Sequence, residues 1–330
     1  MRVVTVFEAQ HPLVRALADT GCEVEQRGMA EIPLSSGDPY FYLGDVFEQI
    51  KAPLALARIR RALVRDGAPY VMWNRDAPWN CAIKPLRKLL VHASRRVDLH
   101  LAHSLQSAAL FGEPAIYFPN AAESDRYSLG GRKLESLRDP SGYRFDVSFV
   151  GTLSPGFWRV RARVEFLNEL GRRLAQSGVN HRFFDTSLGS PLTLKEQVGI
   201  IHDSRINLSV GAVCDKPVTS WGMPERCFGI ASCGGFLLCD QRRHAADTFP
   251  KEAWTEFGNL EECVERIKFF IANFDLSRNK AERLHREVMA RHTYAVRAQQ
   301  LLGLVVAWKG RNVALPARMK CPESGKHSNG

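Results

Sequence analysis

The sequence predicts an α/β protein with two separate parallel sheets, one in each half of the chain. Three observations predict it. Strand-like and helix-like runs alternate through both halves, a polar stretch from Pro119 to Gly142 interrupts the alternation, and the last helix-like run, Tyr294 to Trp308, has no strand after it. Alternation of this kind covers both faces of a parallel sheet with helices. The chain has 330 residues, which suits two domains of about 150 residues each. Its 45% apolar and 24% charged residues are those of a globular protein able to bury sizeable cores.

Taken in order, the chain opens as strand, helix and strand: Arg2 to Phe7, His11 to Thr20 with Gly21 as a stop, and Cys22 to Gln26. A helix-like run from Val46 to Asp66 follows, then a strand at Tyr70 to Trp73 and a helix from Pro85 to Arg96. Short strands at Leu99 to Ala102 and Ala115 to Phe118 complete the first half. The stretch Pro119 to Gly142, rich in Ser, Gly, Asp and Arg, reads as a linker. The second half starts with a strand at Phe145 to Val150, a helix at Arg159 to Ser177 and a strand at His181 to Phe184. Next come a helix at Thr193 to Asp203, a strand at Ile206 to Val210, a helix at Pro224 to Cys233 and a strand at Phe236 to Cys239. A strand-like Trp254 to Phe257 precedes helices at Leu260 to Asn273 and Leu276 to Arg291. Beyond the final helix the residues to Gly330 read as disordered.

Composition excludes several classes. The longest apolar runs, Ile230 to Cys239 and Leu301 to Trp308, fall well short of the roughly 20 residues that span a bilayer. Met1 leads straight into a strand rather than a secretory signal, so a cytoplasmic protein with reduced thiols is expected. Cys227, Cys233 and Cys239 recur without a Cys-x-x-Cys pair, a spacing that suits buried apolar cysteines better than zinc ligands. The net charge of +10 is uneven. From Arg58 to Arg96 ten Lys and Arg face only Asp66 and Asp76, and a second basic excess follows Lys309. Patches of this kind attract anionic partners such as DNA or a membrane surface, which would place the protein peripherally at a membrane, or else form a solvated helix face.

Features of the second half converge on a phosphate site. The strand ending at Val150 runs into Gly151, Thr152, Leu153, Ser154, Pro155 and Gly156, and then into a helix that carries Arg159, Arg161 and Arg163 in its first turns. Backbone N–H groups and arginines placed there suit a diphosphate. The loop from Gly211 to Met223 leads to a helix with Pro224 at its first position and Glu225 and Arg226 beside it, closed by Gly234 and Gly235. A helix N-terminus at the carboxyl edge of a parallel sheet favours anions. Glu225 can bond ribose or sugar hydroxyls, or serve only the helix dipole. Arg226 can meet phosphate or a surface carboxylate.

The run Gly222-Met223-Pro224-Glu225-Arg226-Cys227-Phe228, followed by Ala231 to Leu238, resembles the signature of CgeB-like glycosyltransferases, whose C-terminal domain is similar to that of group 1 glycosyltransferases. The resemblance extends through Asp203 to Leu208 and Val147 to Gly151, and downstream to Arg291-His292-Thr293-Tyr294. In the first half, Trp73 to Pro78 and Tyr117 to Ala122 are similar to family segments. The resemblance implies a GT-B fold: two Rossmann-like domains facing each other across a cleft, with a C-terminal helix crossing back to the first. Residues 1–143 would then bind the acceptor and 144–292 the nucleotide sugar, with 293–308 the returning helix and 309–330 a basic tail. It further implies donor contacts at Gly151, Thr152, Arg159, Arg161, Gly222, Met223, Glu225, Arg226 and Gly234. Two acids usual in group 1 relatives are replaced by Gly229 and Trp221. Retaining stereochemistry therefore does not carry over.

No Asp-x-Asp pair is present, which agrees with a fold that needs neither a metal nor another cofactor to hold the diphosphate. His11, after the first strand, matches the place where inverting GT-B enzymes often carry a base, and its usual pKa near 6.5 suits removal of a hydroxyl proton. Asp76 is the other candidate. Arg75, Lys84, Arg87 and Lys88 are candidates for binding an acceptor or an anionic partner. The acceptor is expected in surface-glycan or related glycoconjugate synthesis, with hydroxymethylated DNA bases as the alternative and a catalytically silent nucleotide-sugar-binding protein as another.

Overall fold

The computed structural model describes residues 1–28, 31, 40–45, 52–75, 97–105, 108, 115–154, 160–187, 192–211 and 222–310. Asp76, Lys84, Arg87, Lys88, Arg159, Trp221, the Pro85 to Arg96 run and the tail after 310 lie outside the described residues. The chain divides into two compact units, Met1–Pro119 with the chain from Arg297 onward, and Asn120–Val296.

In the first unit a parallel sheet has the order β2-β1-β3-β4-β5-β6. Its strands are β1 (Arg2–Thr5), β2 (Glu23–Gln26), β3 (Tyr40–Asp45), β4 (Tyr70–Asn74), β5 (Leu99–Ala102) and β6 (Ile116–Tyr117). Strand β3 is missing from the sequence reading, which ran directly into a helix at Val46. Its aromatic run Tyr40-Phe41-Tyr42, which follows Gly-Asp-Pro in the sequence, is the signal that was available. Helix α1 (Pro12–Asp19) starts where the Nδ1 of His11 accepts the Leu13 N–H, and buries Leu13, Val14 and Leu17. Helix α2 (Pro53–Asp66) has Pro53 in its first turn and ends at Gly67, whose φ of 62° is left-handed and costs glycine little. Leu56, Ile59 and Leu63 of α2 pack on Tyr40, Tyr42, Tyr70 and Met72 of the sheet.

The second unit has a parallel sheet of order β11-β10-β9-β7-β8. It comprises β7 (Phe145–Gly151), β8 (His181–Asp185), β9 (Ser204–Ser209), β10 (Leu237–Asp240) and β11 (Glu256–Phe257). Helices α3 (Arg161–Gln176), α4 (Leu194–His202), α5 (Glu225–Ser232), α6 (Ala245–Thr248), α7 (Leu260–Ala272) and α8 (Phe274–Arg291) belong to it, and α9 (Tyr294–Gly310) begins in it. One sheet face carries Val147, Phe149, Ile206, Leu208 and Leu238 against Leu167, Leu170 and Leu174 of α3 and Cys263, Ile267 and Phe270 of α7. The other meets Ile201 of α4, Phe228, Ile230 and Ala231 of α5, and Leu284 and Val288 of α8. Cys227, Cys233 and Cys239 are free thiols buried on that side.

Residues 120–143, read as a linker closing the first domain, pack instead within the second unit. Ala122 forms a parallel bridge with Thr293, its N–H reaching the His292 carbonyl at 2.7 Å. The Ser232 hydroxyl donates to the Tyr127 carbonyl at 2.7 Å, and Arg138 pairs with Glu282 at 2.7 Å. A polar sequence hid these contacts because they run through backbone atoms and ion pairs rather than an apolar stripe. Pro224 likewise precedes α5 as an extended cap residue instead of opening it, a one-residue difference. Among the described residues no helix is long and apolar enough to cross a membrane.

Three buried histidines carry a pH dependence. Burial lowers His100 to about 4 and His11 to about 3, and it lowers His202 as well. The folded chain therefore holds them neutral while the unfolded chain protonates them near their usual 6.5, so stability is lost as pH falls from there toward 4. Denaturant midpoints measured at stepped pH should decline across that window, and His100→Gln should flatten the decline. An unchanged slope in that variant would contradict the assignment.

Candidate functional site

Renumbered within its unit, each sheet has the same doubly wound order, in which the first strand lies between the second and the third. In such sheets ligands bind at the carboxyl ends of the strands where the winding reverses. In the second unit that point lies between β7 and β9, and a cavity of about 480 Å³ opens there. Such a volume suits a small organic ligand.

The residues around this cavity explain it. Ser148 and Val150 of β7 and Asn207 of β9 form its floor, while Thr186, Leu194 and Gln197 stand on one side and Glu225, Arg226 and Gly229 on the other. Tyr127, from the polar 120–143 segment, donates its hydroxyl to Gln197 at 2.8 Å, and its ring lies 3.4 Å from where a side chain at Gly229 would begin. The Glu225 carboxylate accepts the Tyr294 hydroxyl at 2.6 Å.

The most informative contact is that of Arg226. Its guanidinium lies over the Phe149 ring, 4.8 Å from the centroid, a favourable placement of a cation on an aromatic face. A methyl group on Gly151 would stand 2.5 Å from its Nη2 and 2.9 Å from Phe149, so a larger residue there would push the guanidinium aside. Burial lowers the Arg226 pKa, although a guanidinium keeps its charge at neutral pH. Among the described residues no carboxylate pairs with it. Arg163 lies over the same ring at 5.7 Å and donates to the carbonyls of Thr152 and Gly211, both at 3.3 Å. Arg242 is held at 2.6 Å by Asp240, whose other oxygen accepts the Gly211 N–H at 2.8 Å.

The structure thus brings together Gly151, Glu225 and Arg226 from the expected donor set. Arg161 does not join them. It pairs with Glu165 on an exposed helix surface, and the inward arginine is Arg163, two residues and about 200° further round the helix. Thr152 contributes only its carbonyl to Arg163. Gly222 and Met223 are buried behind the cavity, with the Met223 carbonyl accepting from Asn120 at 3.4 Å. Gly234 closes the opposite end of α5 at φ 72°, packed against Leu129, Leu134 and Leu137, and its carbonyl accepts from buried Arg278. Glu123, Arg126, Tyr127 and Gln197 line the cavity without having been anticipated.

In the first unit the corresponding switch point, between β1 and β3, holds His11, Asp45 and Arg75. Arg75 Nη1 lies 2.6 Å from His11 Nε2 and Nη2 lies 3.9 Å from Asp45, with Phe7 and Trp73 beneath the guanidinium. His11 is lowered to about 3, first by burial and then by the Arg75 charge. Both ring nitrogens face donors, Leu13 N–H at 3.2 Å and Arg75, and a protonated ring could accept from neither. Arg75, expected to meet an anionic partner, is instead engaged with this histidine.

A sequence-family model described as glycosyl transferase-like matches residues 159–303. No curated protein matches the chain. Among solved structures, Anabaena HepE in complex with UDP-glucose is similar at 14% identity and a TM-score of 0.55, covering 93% of this chain and 100% of that one. Sucrose-phosphate synthase from Thermosynechococcus elongatus is similar at 11% identity and a TM-score of 0.57, covering 94% and 100%. A DNA modifying enzyme, β-glucosyltransferase, is similar at 12% identity and a TM-score of 0.51, covering 93% and 99%. Two doubly wound parallel sheets and likeness along nearly the whole chain show that this protein has the GT-B fold.

Proposed function

We propose that the protein is a glycosyltransferase that binds a nucleoside-diphosphate sugar in the second unit and moves the sugar to an acceptor hydroxyl. The observation that carries this reading is Arg226: a guanidinium in the first turn of a helix, facing a cavity at the sheet's switch point, with a glycine opposite and no carboxylate partner among the described residues. A diphosphate would supply the missing negative charge, and the start of α5 adds its partial positive charge. No metal is needed for that neutralisation. Glu225, fixed by Tyr294, is placed to accept from ribose or sugar hydroxyls. HepE has been solved with UDP-glucose and with UDP, which supports a uridine nucleotide as the first donor to try.

His11 is our candidate base. It is neutral at physiological pH, as a base must be, but weakly basic while Arg75 occupies its Nε2. The base role requires Arg75 to release Nε2 when the acceptor binds. Asp76, the alternative, lies outside the described residues. A glycoconjugate acceptor is our preferred reading. Likeness to a DNA modifying β-glucosyltransferase keeps hydroxymethylated DNA as the second, for which binding would fall steeply with salt. A catalytically silent nucleotide-sugar-binding protein would show neither transfer nor slow donor hydrolysis.

Thermal melts with UDP, GDP, dTDP, ADP and CMP sugars should show one nucleotide class raising the midpoint. Arg226→Ala should weaken that ligand by about tenfold or more, since a charge-assisted bond is worth ~1.5–3 kcal/mol; a flat panel, or full affinity in the variant, would remove the donor site. Gly151→Ala should also weaken binding, by displacing the guanidinium, while the protein still melts cooperatively. Unchanged affinity there would mean that Arg226 does not hold the ligand. His11→Ala should lower kcat and leave donor affinity unchanged. Arg75→Met should raise the acid limb of the kcat/KM profile from near 3 toward 6.5, and a limb that does not move would dismiss His11 as the titrating base.

A further inference from the structure

The outer face of α2 carries an unusual pairing of residues. Leu54 and Val64 are 80% and 67% exposed, the two most exposed large hydrophobic side chains among the described residues. Both lie on one stripe of the helix with Arg58, Arg61 and Arg65, at positions that follow the helical repeat. Arg58 and Arg61 have no carboxylate partner among the described residues, and Asp66 is the only acid in the helix.

The opposite side of α2 is firmly held. Leu56, Ile59 and Leu63 are in the core. Arg60 makes a bidentate pair with Asp98, which also accepts the Tyr70 N–H at 2.8 Å, and the Tyr40 hydroxyl donates to Asp66 at 2.7 Å. The helix cannot roll to tuck Leu54 and Val64 underneath. Two aliphatic side chains about 15 Å apart along the axis therefore stay in water, bracketing Arg58 and Arg61.

We propose that this face of α2 docks on an anionic lipid surface. Guanidinium groups meet headgroup phosphates, and the flanking aliphatic side chains enter the boundary between headgroups and acyl chains, as interfacial helices do. The arginines alone would fit a nucleic-acid backbone equally well. Leu54 and Val64 decide between them, because contacts that position a protein on a duplex are made to phosphate and sugar by polar and basic groups, leaving aliphatic tips exposed. The surface is independent of the donor site, which lies in the other unit.

Co-sedimentation of the full chain with vesicles tests this. The protein should bind vesicles containing phosphatidylglycerol, with binding reduced by salt, and should not bind phosphatidylcholine alone. Arg58→Glu with Arg61→Glu should reduce binding by about tenfold or more, given the attraction of each basic residue to an anionic surface. Leu54→Ser with Val64→Ser should also reduce it while keeping the salt dependence, and both double variants should melt like the parent. Absence of binding to phosphatidylglycerol vesicles overturns the proposal, as does parental binding by either double variant. Retention by duplex DNA but not by vesicles, lost in the arginine variant, would make the partner a nucleic acid and equally overturn it.

Discussion

The guanidinium of Arg226 stands so near the backbone of Gly151 that even a methyl group there would overlap it, and much of the second unit is arranged around that approach. Strand β7 ends in a glycine that leaves room for the guanidinium, α5 begins opposite it, and Phe149 lies beneath to give the half-buried cation an aromatic face. A guanidinium placed this way, with no carboxylate paired to it among the described residues, is costly unless something anionic arrives. Arg163 and Arg242 add to the positive field, one tied to two loop carbonyls and the other neutralised by Asp240. The result is a site whose own stability leaves room for a ligand's charge.

The first unit repeats the winding and places its own polar cluster at the same topological point, with opposite chemistry. Here the cation faces a histidine, whose basicity is lowered. Burial and a neighbouring charge act together, because an imidazole surrounded by two donors has nothing to gain from a second proton. The ring is thereby kept in its neutral form far below its usual titration range. Its lone pair is also occupied, so the same contact that holds the ring ready also restrains it.

Most strands and helices were legible in the sequence because their apolar periodicity matched their burial, and the boundaries moved by only a few residues. Strand β3 was passed over although its aromatic run was visible. Another readable signal was also missed. Central strands of a sheet covered on both faces normally read as continuous apolar runs, yet β7 alternates as Val147-Ser148-Phe149 and β9 as Ile206-Asn207-Leu208-Ser209. The polar members point to the cavity side. Gly151, Glu225 and Arg226, which line one cavity, stand out in the sequence because a glycine before a helix and charges at a helix start carry local meaning. The sequence places Arg161 in the donor set together with Arg159, because spacing alone does not say which side of a new helix faces the sheet.

By itself the sequence determined two parallel α/β sheets, and the glycine and arginine that meet at the cavity of the second one. These follow from local periodicity and turn chemistry, which act over a few residues. Only the tertiary structure decided that residues 120–143 belong to the second unit, that Tyr127 covers Gly229, that Arg163 rather than Arg161 turns inward over Phe149, and that burial and Arg75 together hold His11 neutral. Each of these depends on side chains far apart in the chain meeting at a distance of a few ångströms, and such meetings are set by how the elements pack rather than by any one of them.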